Sequence, residues 1–522
     1  MRRHRSQSFA DLGAVDVILI EEEDVTADEA RTVLHQLALE AMDRRATSPG
    51  DPHPLSPPDE PGGGVVLARR VRRRRVVRTV VVAALLVVVA VATQVVDARQ
   101  SAARHAALVA EPGVLAAVPT APGVVWRVPG RWVGGQADTL LAVDDRGVLQ
   151  GLDPATGEMT WVASGSVGGA TDAGRCFAVD EGLRPDRAPV DDGPAGLVAC
   201  VTDVDGGVTD VGGAGQDSAR VQVVVVDSAT GTTVHDVTVD GVLLTAEPVG
   251  RDLLLALGLP DGRVRVSRWD LGTGAWRWDH VAATPAQAGQ VGAGVAVGRG
   301  PDVLRIGDLS LDLATGEEVD PTIARRAPLR YQEHLLPGGA RASWSWYPEG
   351  RSGRGRITST GSARTVPLAG PPLVPPLTDT SQPGTLVVLT TRGDRLRGVD
   401  LRSGQVRWSR PFWGDAAVQA TAQVDGVMVL DDGATVTALD VRTGETLWEA
   451  SVEPAVTRES ALTDGTVVVL PVRDAGALLL EARRIVDGEV VWRAGAPPGT
   501  VALAVVDHHL LASTGDEVVG LG

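Results

Sequence analysis

The chain runs to 522 residues, too many for one ordinary core, so several domains or one repetitive domain are expected. Its 49 basic side chains, all arginine, face 66 acidic ones, and a net charge of −17 argues against nucleic acid as the main partner, because phosphate binding needs a basic surface. Lysine and asparagine are absent, which excludes a lysine Schiff base, a P-loop lysine and N-glycosylation at Asn-x-Ser/Thr.

At the N-terminus, Thr26-Ala27-Asp28-Glu29 forms a capping box, with the hydroxyl set for one backbone N–H and the carboxylate for another. Ala30, Val33, Leu34, Leu37, Ala38 and Ala41 then fall on one helical face, which predicts a helix over 26–45. Its apolar stripe would cover the run Val17-Ile18-Leu19-Ile20 or another protein. Residues 47–64, with Pro at 49, 52, 54, 57, 58 and 61, read as a linker.

The long apolar run is 76–96, uncharged from Thr79 onward and long enough to span a bilayer as one helix. Arg69, Arg70, Arg72, Arg73, Arg74, Arg75 and Arg78 precede it, and this basic flank belongs in the cytoplasm. Seventy-five residues lie before the run and no small-x-small cleavage site directly follows it, so an uncleaved anchor is expected. The expected division is a cytoplasmic segment over 1–68, flank and transmembrane helix over 69–98, an extracytoplasmic linker over 99–122, and one domain over 123–522. The location that follows is the cell membrane, single-pass, with the N-terminus inside.

That last domain repeats one phrase: Asp, two residues, Thr or Ser, Gly, three residues, Trp. It stands at Asp153…Thr156-Gly157…Trp161, Asp270…Thr273-Gly274…Trp278, Asp400…Ser403-Gly404…Trp408 and Asp440…Thr443-Gly444…Trp448. Weaker copies centre on Gly231, Gly316 and Gly488, the last keeping Trp492 without the Asp, and a degenerate one on Gly361. A step of about 43 residues is the length of a four-stranded antiparallel blade. The first step is longer, and an insertion over 181–220 accounts for it.

Each residue of the phrase has a mechanical task. Asp closes the strand in an Asx-turn, Gly takes the positive φ of the hairpin, and Trp lies on the outermost strand against the neighbouring blade. Trp126 has no phrase of its own, and the chain ends at Val518-Val519-Gly520-Leu521-Gly522 just before one is due. The N-terminal strand is therefore expected to complete the last blade. The fold class expected is all-β: an eight-bladed propeller, within a range of seven to nine, with a unit around Gly316 or Gly361 merging with its neighbour.

These residues resemble the quinoprotein-type (PQQ-like) repeat, whose blades share the Asp-x-x-Thr-Gly-x-x-x-Trp docking phrase, over about 400 positions from Gly123 onward. The resemblance implies either a dehydrogenase using pyrroloquinoline quinone or a non-enzymatic propeller that assists outer-membrane assembly. Enzymes of the family are implied to use a vicinal Cys–Cys disulfide, a calcium held by Glu, Asn and Asp, and an Asp base. Here Cys176 and Cys200 are far from adjacent and asparagine is missing, so no catalytic, cofactor or metal residue is expected.

Cys176 and Cys200 lie on strand-like stretches outside the membrane, where a disulfide between them is expected; two buried thiols are the alternative. Asp203, Asp205, Asp210 and Asp217 read as a solvated acidic loop rather than a calcium site. His508-His509 occupies the place where Asp425-Gly426 makes a hairpin earlier, and a turn is expected there. Trp344, Trp346, Tyr347 and Trp413 fall outside the docking pattern and are candidate partner contacts, with core filling as the alternative. The function expected is a membrane-anchored extracytoplasmic scaffold binding a protein or glycan. A divergent quinoprotein dehydrogenase, and the sensing half of a transmembrane signalling protein with the 26–45 helix as output, are the alternatives.

Overall fold

The computed structural model describes residues 92–522, apart from 97, 112, 137, 167–174, 180–195, 205–218, 285–296, 301, 308, 325–327, 329, 337–338, 348–352, 359–364, 380, 383, 413–417 and 459–461. The expected helix at 26–45, most of the apolar run, Gly361, Trp413 and most of the acidic loop lie outside the described residues. Among those described, no helix is long and apolar enough to cross a membrane.

The strands assemble into antiparallel hairpin runs, one after another along the chain. The Gly157 unit comprises Arg131–Gln136, Thr139–Val143, Val148–Leu152 and Met159–Ser166. The Gly231 unit comprises Arg175–Val179, Leu197–Asp203, Arg220–Asp227 and Thr233–Asp240, and the Gly274 unit Val242–Val249, Asp252–Gly258, Val264–Asp270 and Trp276–Val281. The next sheet is double. Three strands of the Gly316 unit (Val297–Arg299, Val303–Ile306, Leu309–Asp312) share it with Arg330–Leu335, Arg341–Trp346, Arg354–Thr358 and Thr365–Leu368, through the parallel pair Arg299↔Arg330.

The Gly404 unit follows with Pro372–Leu373, Thr385–Leu389, Arg395–Asp400 and Val406–Pro411. The Gly444 unit has Gln419–Val424, Val427–Asp431, Thr435–Asp440 and Thr446–Ser451. The Gly488 unit has Val467–Asp474, Ala477–Arg484 and Val490–Gly495. The last sheet takes Ala502–Val506, His509–Ser513 and Glu517–Leu521 from the C-terminus, and its outer strand is Val124–Pro129.

The second strands are buried on both faces, as Thr139–Val143, Asp252–Gly258 and Thr385–Leu389 are at every position. A sheet covered on both sides selects a continuous apolar run over an alternating one. Successive side chains serve different neighbours: Leu141 and Val143 pack on Val198 and Cys200 of the Gly231 unit, whereas Leu140 and Ala142 pack on Val506, Leu511 and Val518 of the last sheet. That second contact closes the wheel, since the last sheet also packs through Leu503 and Val519 on Leu480 and Trp492 of the Gly488 unit.

Residues 99–122 depart from the expected linker. Residues 98–109 are helical, and the segment after them is stitched to the wheel. Val114 and Leu115 are buried, Leu115 N–H donates to Thr463 O (2.8 Å), Ala116 N–H to His508 O (2.9 Å), and Gly123 exchanges two hydrogen bonds with Gly522. Apolar side chains at 108, 114 and 115 cover the ends of the Gly444, Gly488 and last units, which removes them from water.

Candidate functional site

The repeated hairpin is the most regular site in the molecule. In the copies starting at Asp153, Asp227, Asp270, Asp312, Asp400 and Asp440, one carboxylate oxygen accepts the N–H groups of the second and third residues on. The amides of Thr156, Thr315 and Ser403 thereby hold Asp153, Asp312 and Asp400 below the usual carboxylate range, and Arg407 and the Ser403 hydroxyl add to this at Asp400. Asp270 is also lowered: burial opposes ionisation, but Thr273 and Arg277 outweigh it. In the Gly488 copy Arg484 replaces the aspartate, and its guanidinium reaches Asp487 (2.7 Å) and Glu489 (2.5 Å) instead.

The turn glycines have φ near +70°, and on five of the seven lies the indole of an adjoining strand. A Cβ at Gly157 would come within 2.6 Å of Trp126, at Gly231 within 2.5 Å of Trp161, at Gly316 within 2.6 Å of Trp278, and at Gly488 within 2.5 Å of Trp448. Gly444 takes Trp408 in the same way, while Gly274 takes His235 and Gly404 takes Val366. Each indole N–H donates to the carbonyl just past the first residue of the next turn: Trp161 to Ser228 (2.8 Å), Trp278 to Leu313 (3.1 Å), Trp408 to Val441 (2.8 Å) and Trp448 to Ile485 (2.8 Å). Trp126 reaches Pro154 likewise (3.2 Å). Trp492 has no turn ahead of it and donates to Val118 O (2.8 Å), so the strap stands in for the missing phrase.

One further position belongs to this device and was not anticipated. The residue two before the phrase's aspartate is small, Gly151, Gly398 or Ala438, and it is the cross-strand partner of the docking Trp. Gly520 holds the same place under Trp126 and Ala482 under Trp492. The signal, Gly or Ala at that offset, is visible in the repeat. The Gly274 copy has Arg268 there instead.

Residues 369–519 match the family model described as outer membrane protein assembly factor BamB. Over those residues the chain matches the PQQ-like repeat. Among solved structures, this chain is similar to BamB from Moraxella catarrhalis, at 16% identity over 77% of this chain and 99% of that one, with a TM-score of 0.37. It is also similar to the computationally designed Ika8 protein (14% identity, 76% and 98% covered, TM-score 0.34) and to the Myceliophteria thermophila Cps50 (Swd1) β-propeller domain (11%, 77% and 99%, 0.30). No curated protein sequence matches it.

The PQQ-like enzymes' quinone and calcium do not fit the residues present. Cys176 and Cys200 are joined to each other across neighbouring strands, with a sequence separation of 24, so they form no vicinal pair. Among the described residues, no group of three His, Cys, Asp or Glu is placed to hold a metal. Among the described residues the buried carboxylates are committed elsewhere: Asp252 to Arg268 and Arg277, Glu481 to Arg483 and Arg493, Asp464 to the N–H groups of Thr466 and Val467, and Asp379 to those of Ser381 and Asp425.

The four candidate partner contacts separate. Trp344 is 1% exposed and packs with Ile357, Val366, Leu386 and Val388, so it fills the core and is not a surface contact. Strand alternation puts Trp346 on the same face, at its half-exposed end, with the Arg330 guanidinium 5.4 Å from the ring centroid. Tyr347 is half-buried with Arg354 6.0 Å from its ring. Trp413 lies outside the described residues. The expected turn at His508-His509 is Asp507-His508, both at positive φ, and His509 begins the next strand. His508 Nδ1–H donates to Val114 O at 2.7 Å.

Proposed function

We propose that this chain is a single-pass, membrane-anchored propeller that presents its wheel outside the cytoplasm as a scaffold binding a protein or glycan, with no catalysis of its own. The wheel has eight sheets among the described residues, and nine repeat positions when the double sheet is counted as two. The observation that carries the reading is the commitment of the motif residues: the repeated aspartates, glycines and tryptophans are spent on joining sheet to sheet, which leaves a rigid support for surface recognition. The half-exposed Arg330–Trp346 and Arg354–Tyr347 stacks on one sheet supply aromatic and arginine side chains of the kind that anchor partners. The family description, outer membrane protein assembly factor BamB, is compatible with a role at an envelope surface. The anchor rests on the uncharged run from Thr79 and its arginine flank.

Crosslinking in intact membranes, followed by purification of the full chain, tests this. A specific envelope component should be captured, and a variant carrying Trp346→Ala and Tyr347→Ala should lose most of it. Capture of nothing beyond background, or release of the chain from membranes by alkaline carbonate, is the opposite outcome.

A further inference from the structure

Among the described residues, one face of one sheet lacks the apolar cover that its neighbours have. In the 330–368 half of the double sheet, register places Tyr331, Ser345 and Arg354 in one cross-strand row and Glu333, Ser343 and Arg356 in the next. All six are half-buried or exposed. The opposite face, with Ala342, Trp344, Ile357 and Val366, packs on the Gly404 unit. The open face is the other side of this half-sheet, which the Gly316 strands join edge to edge. Among the described residues, no buried apolar cluster spans that junction, and the sheets meet there through the pair Arg299↔Arg330. The cause is local: after Leu309–Asp312 the Gly316 unit makes a lone bridge, Leu311↔Glu318, and then a four-residue helix, Pro321–Ala324, in place of a fourth strand bearing a Trp.

The same stretch of sequence is rich in arginine. Residues 321–368 hold eight arginines and two glutamates, in a chain whose net charge is −17. On the open face Arg341 lies 3.7 Å from Glu333, and no second carboxylate stands in the rows of Arg354 and Arg356 among the described residues. Of the chain's two tyrosines, Tyr331 is on this sheet and Tyr347 directly follows its strand Arg341–Trp346, beneath Arg354. A guanidinium lying over a ring keeps its planar N–H fork available to a carboxylate or phosphate.

Resting on the reading of the wheel as a binding module, we propose that this face binds an anionic polysaccharide, with Arg354 and Arg356 taking the acidic groups and Tyr331, Ser343 and Ser345 the sugar hydroxyls. Charge complementarity selects an acidic occupant. The two rows of hydroxyls and arginines offer no apolar pocket of the kind a peptide anchor fills, which selects a polyhydroxylated chain over an acidic peptide.

The test is binding of the full chain, in detergent, to polygalacturonate, to neutral dextran and to polyglutamate of similar length. Polygalacturonate should bind in a salt-sensitive way and dextran should not. Arg354→Gln with Arg356→Gln should weaken it about tenfold or more, as expected for losing charge-assisted hydrogen bonds. Both side chains are exposed, so the melting curve should not move. Absent binding, an undiminished double variant, or polyglutamate bound as tightly as polygalacturonate would each overturn the proposal. Crosslinked capture of a protein partner alongside any of those results would leave the scaffold reading standing, and loss of both would remove both.

Discussion

A single carboxylate organises each of the six hairpins that begin with aspartate, because it satisfies two amide N–H groups that would otherwise face water or nothing. For Asp153, Asp312 and Asp400 the folded-state ionisation lies below the unfolded one, so their contribution is complete above the ordinary carboxylate range and is lost as pH falls through the lowered values. The denaturation midpoint should therefore drop between about pH 4 and pH 2, and Asp400→Asn should make that drop shallower. A profile identical to the parent's would show that the hairpin carboxylates do not set acid stability. The turn glycine is equally constrained: at Gly488 φ is +72° and the Trp448 ring occupies the space of a Cβ. Gly488→Ala should cost about 1–3 kcal/mol in denaturant unfolding, the scale of a non-glycine residue forced into the left-handed region. An unmoved midpoint would contradict this.

Among the elements, the strap after the helix at 98–109 changes most from what the sequence suggests. Its residues, with Ala, Gly and Pro spread among them, have no period, and a segment without period reads as a linker. What holds it is long-range: Leu115 at 1% exposure among Leu462, Leu480 and Leu503, and Val118 N–H donating to Asp464 at 3.2 Å. Leu115→Ala should destabilise the wheel by about 2–5 kcal/mol, as for other buried leucines. Circular dichroism melts would check it, and a loss under about 0.5 kcal/mol, the scale of an ordinary surface change, would return the strap to the status of a spacer. The strand Arg341–Trp346 gives the converse case: two tryptophans two apart share a face, yet depth along the strand buries one and half-exposes the other.

Over the whole molecule, stability is a chain of nearest-neighbour contacts that returns to its start. The joint that completes it is Val124–Pro129 on Glu517–Leu521, reinforced by the Arg127–Glu517 pair at 3.0 Å. Deleting 517–522 should leave strand edges unpaired, broaden the thermal transition and promote self-association, seen by scanning calorimetry and light scattering. A deletion variant that melts sharply as a monomer would mean that the ring does not depend on its closure.

Read alone, the amino-acid order was enough for the repeat, the hairpin chemistry and the terminal complementarity, because each depends on residues within about ten positions or on a period counted along the chain. The docking of Trp161 on Gly231 or Trp448 on Gly488 follows from that period. The strap, the burial of Trp344 and the open face beside the Gly316 strands were decided by the tertiary structure alone. Each depends on which surface a neighbouring sheet covers or fails to cover, and solvent exclusion by a distant segment leaves no local mark in sequence.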